Sequence, residues 1–225
     1  MRTHSEFISF AKLANLQAVI PVVTVALVCN DLAVANSAMS RLTANVPRSL
    51  HHVRRGVRMY FSRMQCGHLN EGMDAIAEVQ KTSLLLAAVQ SCRTSAIAAF
   101  HELCKCLKGG PYHKEFKRHV GFMRNRAAFH YDPNDLGWAI ADRAGKSQGG
   151  TSSLTAGEDI HSSRFEFGDD LLDSVVCRRI WGIPKNQDVR QEADRFGAWC
   201  DKKCREYLHF GADFVPRFLK GRATI

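Results

Sequence analysis

The sequence predicts an all-α protein, a helical bundle with additional helices at both ends. Three observations carry this. Apolar residues recur at three- and four-residue spacing, as in Val53, Val57, Tyr60, Phe61, Met64 and Leu69, which sets them along one side of a helix. The interruptions Asn45-Val-Pro47, Lys108-Gly-Gly-Pro111 and Ile183-Pro184 are of the kind that stop helices. Strand-like alternation occurs only in Ser163-Arg-Phe-Glu-Phe167, and no second strand is in view to pair with it.

Taken in order, Phe7, Phe10, Leu13 and Leu16 form a short helical stripe. Pro21 suits the first turn of a helix over 22–42. Val25, Leu27, Val28, Leu32, Ala35 and Met39 are its packing positions, and its near lack of charge predicts a largely buried helix. Ser49 is placed to cap a third helix running to about Gln80, basic in its first half and acidic in its second. Leu84 to Val89 and Ala96 to Leu107 read as one further helix with a weak point at Ser91 to Ser95. The most basic helix follows, from about Tyr112 to His130. Asn134 to Ala144 is a short helix with Trp138 and Ile140 inward, and Gly145 to Gly157 is a Gly- and Ser-rich loop. Asp169 to Trp181 is amphipathic, with Leu171, Leu172, Val175 and Ile180 inward. Val189 to about Leu219 is the last helical stretch, with a bend or a break expected near Gly211 and Pro216.

Charge narrows the partners. Lys and Arg number 31 against 22 Asp and Glu, a net +9, and 20 of the 31 are Arg. Arginine suits bidentate contact with phosphate, so an anionic partner such as nucleic acid is indicated, with solubility as the plain alternative. The eight cysteines lie scattered through helical segments, which indicates a reducing compartment and no disulfide framework. Cys104-x-Cys106 and Cys200-x-x-x-Cys204 lack the spacing of zinc pairs, and His51-His52 has no further ligand placed beside it, so no metal or other cofactor is expected. The sequence contains no H-E-x-x-H, P-loop, G-x-S-x-G or dinucleotide fingerprint, which removes support for those enzyme classes. The apolar run Val19 to Val28 is shorter than the about 20 residues that a spanning helix needs. Glu6, Asn15, Gln17 and Pro21 argue against a secretory leader, so a cytoplasmic protein without membrane association is expected.

The segment Arg124-Asn-Arg-Ala-Ala-Phe-His130 concentrates chemistry. A histidine can take the proton of a hydroxyl, an arginine can hold a phosphate and stabilise its developing charge, and an amide can orient either. These are the parts for metal-free RNA cleavage by attack of a 2′-hydroxyl on the adjacent phosphate. Arg126 lies four residues before His130 and so shares its face. Arg124 and Asn125 point elsewhere on an ideal helix, so convergence requires a distorted helix or a second subunit.

Arg124-Asn125 followed by His130, late in an all-α chain, resembles the R-x(4–6)-H signature of the HEPN superfamily, in which a polar residue, often Asn, follows the arginine. The resemblance covers residues 48–145. It implies a HEPN-like core there and does not explain the N-terminal helices or the C-terminal third; the chain as a whole is read as a single domain 1–225, with the loop 145–157 and a C-terminal helical extension 158–225. It also implies a metal-independent endoribonuclease of toxin–antitoxin, defence or RNA-processing type, acting as a homodimer with two motifs across one cleft. By the same carry-over Arg124 contacts phosphate, Asn125 orients it, and His130 is general base or acid. Arg63-x4-His68 also fits the bare motif. His68 and Glu71, three residues apart, are accessory candidates if their helix packs on the motif. Arg54, Arg55, Arg58, Lys117 and Arg118 are the candidate RNA-binding cations. Two other readings stand beside the nuclease: a catalytically inactive helical module binding RNA or a protein partner, and an antitoxin-like or structural partner.

Overall fold

A computed structural model of the chain describes residues 7–44, 51–128, 131–145, 152, 154 and 165–223. Among the described residues the regular elements are all helical, so the chain is all-α. They are α1 (Phe10–Ala14), α2 (Val19–Ala44), α3 (His51–Lys81), α4 (Ser83–Gln90), α5 (Thr94–Cys104), α6 (His113–Phe116), α7 (Pro133–Ala144), α8 (Glu166–Ser174) and α9 (Val189–Leu219). Three π-helical segments are π1 (Lys117–Gly121), π2 (Arg124–Ala128) and π3 (Val175–Ile180).

The chain divides into two compact units. The first comprises residues 1–33, 68–114 and 202–225, and the second 34–67 and 115–201. The HEPN-like core expected over 48–145 is thus shared between them, and the second unit also takes in α8, π3 and the first part of α9.

The first unit is built on aromatic packing. Phe100 of α5 lies 5.1 Å, centroid to centroid, from Phe210 of α9, which stacks on Phe214 at 4.8 Å. The buried hydroxyl of Tyr207 donates to the carbonyl of Gly72 at 3.2 Å. Gly72 is there because a Cβ would sit 2.7 Å from the tyrosine ring. The backbone N–H of Arg93, at the start of α5, is satisfied by the Asp213 carboxylate at 2.6 Å. This tie from α9 sits at the weak point, and α4 and α5 are two helices with residues 91–93 between them.

In the second unit Phe116, Val120, Met123 and Ala127 form a buried stripe at four-, three- and four-residue steps. Leu172, Val175 and Ile180 are buried as their periodicity predicts. Rings from α9 close this core: Phe196 lies 4.3 Å from His119 and 5.3 Å from Trp181.

Several expectations are corrected. Glu166 and Phe167 open α8 and do not form a strand, while Ser163 and Arg164 lie outside the described residues. The acidic residues Glu166 and Asp169 in its first turn favour a helix start. Helix α9 continues unbroken through Gly211 and Pro216. Ile140 is exposed, and its neighbour Ala139 is the buried position. Helix α2 buries one stripe, Val22, Val25, Val28 and Leu32, while Ile20, Leu27 and Val34 are exposed. It is also longer than its apolar core run suggested: 26 residues, long and apolar enough by length and composition to cross a membrane, with 28% of its apolar window buried. The break at Asn45-Val-Pro47 and most of the loop 145–157 lie outside the described residues.

Candidate functional site

The motif helix is not a regular α-helix. Arg124 to Ala128 is π-helical, as is Lys117 to Gly121 two residues before it. A π turn bonds residue i to i+5, changes which residues share a face, and recurs at functional positions. A distorted helix, one of the two arrangements that the sequence left open, is present in the segment that carries Arg124 and Asn125. His130 lies outside the described residues.

Two anchors fix this turn inside the second unit. The carbonyls at the end of a helix lack partners within it, and that of Ala127 accepts a hydrogen bond from Arg63 Nη1 at 3.0 Å. Arg63 is only 4% exposed, and its Nε donates to the Met59 carbonyl at 3.3 Å. The second anchor is Asp135, 1% exposed in the first turn of α7. Its Oδ1 accepts from Arg126 Nη2, and Arg179 Nη1 lies 3.0 Å from the same oxygen. The other oxygen, Oδ2, is buried with no hydrogen-bond partner among the described residues. The Arg179 guanidinium sits over the Trp138 ring, 5.4 Å from its centroid.

Arg124 and Asn125 stand towards solvent on the same turn, half-buried and exposed, with Arg124 Nη1 donating to Asn125 Oδ1 at 3.0 Å. A helix N-terminus begins close by in sequence: Asp132 caps α7 by accepting from Asn134 N at 2.9 Å. One step back, His119 is buried against Phe196 and Trp199. Burial pushes its pKa down to about 4, and the neighbouring Arg118 cation adds to the effect. His119 is thus a neutral core residue at neutral pH.

The candidate cations divide by what they touch. Lys117 and Arg58 are exposed, and Arg54 is half-buried. Arg118 donates to the Trp181 carbonyl at 2.6 Å, and its guanidinium lies where a Cβ on Gly182 would fall. Gly182 has φ +67°, a backbone conformation that favours glycine there. Arg55 is held by acids of α8: it pairs with Asp170 Oδ1, and its Nε lies 2.7 Å from Asp173 Oδ2. His68 and Glu71 belong to the first unit, where His68 Nδ1 lies 3.2 Å from Asp31 Oδ2. Among the described residues no three His, Cys, Asp or Glu side chains gather as a metal-binding group.

Sequence reasoning missed Asp135, Arg179 and the structural use of Arg63. Asp135 reads locally as an acid at a helix start, and Arg178-Arg179 as the polar end of an apolar stretch. Nothing in local spacing says that residues 135 and 179 meet. An acid two residues past a proline, nine residues after Arg126, was the one available signal.

No family model matches the chain, and neither does any curated protein or solved structure.

Proposed function

We propose that this chain is a HEPN-like, metal-independent endoribonuclease of toxin or defence type, using Arg124, Asn125 and His130. The observation that best supports this reading is the anchored π turn. Arg63 and Asp135 hold Arg124–Ala128 from the buried side, while on that turn Arg124 is half-buried and Asn125 exposed. A rigid turn with an outward guanidinium and amide suits phosphate binding, since little ordering is left to be done when the ligand arrives.

In the reaction proposed, His130 takes the proton of a ribose 2′-hydroxyl and the oxygen attacks the adjacent phosphorus. The bond from phosphorus to the 5′-oxygen breaks, and that oxygen leaves with a proton taken from water, so one proton is removed and one is supplied. The products are a 2′,3′-cyclic phosphate and a 5′-hydroxyl. Arg124 stabilises the charge that builds on the phosphoryl oxygens, and Asn125 orients it through the Arg124–Asn125 hydrogen bond. The chemistry needs no metal. The same reading has the protein working in the cytoplasm as a homodimer, with a cognate antitoxin-like protein as inhibitor.

The test is cleavage of matched oligonucleotides in the presence of a chelator. An all-RNA strand should be cut to products with cyclic phosphate ends, and a strand carrying 2′-deoxyribose throughout should survive. Equal cutting of both would overturn the mechanism.

A further inference from the structure

We propose that Arg126 and Arg179 form a two-guanidinium receptor for one phosphodiester of an RNA strand, with Asp135 setting their spacing. This rests on the reading above and extends it to a residue far along the chain. Both guanidinium groups contact the same oxygen, Asp135 Oδ1, so two cations are held side by side. One carboxylate cancels one of the two charges and leaves a positive excess.

The carboxylate is buried, with 2% side-chain exposure, whereas the arginine side chains are 30% and 36% exposed. The acid therefore sits beneath and the cations above. A guanidinium has several N–H donors, and Asp135 Oδ1 is the only acceptor that either arginine meets among the described residues. Donors remain on both for an anion approaching from solvent. A phosphodiester has two unbridged oxygens, which match two neighbouring forks. The Trp138 face beneath Arg179 limits where that guanidinium can settle. Arg126 is two residues from Arg124 on the same turn, so a strand bound here runs beside the candidate cleavage residues.

The experiment measures anisotropy of a fluorescein-labelled, single-stranded 2′-O-methyl oligoribonucleotide over a range of salt. The 2′-O-methyl groups remove the attacking hydroxyl, so binding is read without cleavage. Arg179→Gln should weaken binding about tenfold and lower the log–log salt slope by about 0.7, the value for one phosphate contact on a single strand. Arg179→Lys should keep the slope and lose affinity, because the charge stays and the fork goes. Lys81→Gln, the same charge change at an exposed site in the first unit, should bind like wild type. Unchanged affinity and slope in Arg179→Gln, beside a wild type that binds, overturns this proposal alone. A wild type that binds no RNA overturns it together with the nuclease reading. If Arg179→Gln does not fold, as judged by circular dichroism, Arg179→Lys decides: affinity equal to wild type overturns the receptor.

Discussion

Arg63 Nη1 donates to the carbonyl of Ala127 at 3.0 Å across 64 residues of sequence. The guanidinium is buried, and its contact is with the backbone of the π turn that carries Arg124 and Asn125. Arg63 therefore serves the motif as a fixture and takes no part as a motif arginine itself. Arg63→Leu leaves the Ala127 carbonyl without this donor. A buried acceptor left unpaired costs about 1–3 kcal/mol, so the urea midpoint should fall accordingly. A midpoint equal to wild type would show that the turn holds without Arg63.

Two buried groups give opposite pH dependence. His119 has its pKa pushed down to about 4 from 6.5, first by burial and then by Arg118. Between those values the unfolded chain binds a proton that the folded chain lacks. Its contribution is present above about 6.5 and is lost as pH falls towards about 4. Asp173 is pushed up to about 6 from 3.8, first by burial, with Asp169 and Asp170 adding and Arg55 opposing. Here the folded chain holds the extra proton, so the contribution is present below 3.8 and is lost as pH rises through about 6. Urea unfolding from pH 4 to 7 should show His119→Phe losing less stability on acidification than wild type. Asp173→Asn should show a steeper rise with pH than wild type. Curves parallel to wild type for both variants would contradict the assignment.

Gly72 and Tyr207 are matched by contact in the first unit. A Cβ at position 72 would lie 2.7 Å from Cε2, Cζ and Oη of a fully buried ring. Gly72→Ala should cost about 1–3 kcal/mol, the usual range for overpacking a core. Chemical denaturation measures it, and an unchanged midpoint would mean that the ring moves aside freely.

The helices were largely legible because long amphipathic periods survive most tertiary contexts. Val189 to Leu219 was delimited from its pattern and forms one helix. Pro216 stands inside that helix, which continues through it to Leu219 without a break. Ile140 was misread because hydrophobicity was allowed to choose the inward face of α7. What orients that helix is Asp135, whose ion pairs turn residues 135 and 139 inward, one turn apart, and leave Ile140 outside.

The site was legible in part. The spacing of Arg124 and His130 called for a distorted helix or a second subunit; Arg124–Ala128 is π-helical, and His130 lies outside the described residues. Its anchors were not legible, since Arg63 to Ala127 and Arg179 to Asp135 are contacts between distant segments. Arg55 has no acid within a turn of it on its own helix. The acids that meet it, Asp170 and Asp173, come from α8, more than a hundred residues later.

The most direct measurement is RNA cleavage by purified His130→Ala protein beside wild type, with binding followed on the same RNA. The account predicts that wild type cuts RNA, and that His130→Ala binds it with similar affinity while cleavage is lost. Cleavage undiminished in His130→Ala, or a wild type that leaves every RNA intact, would contradict it.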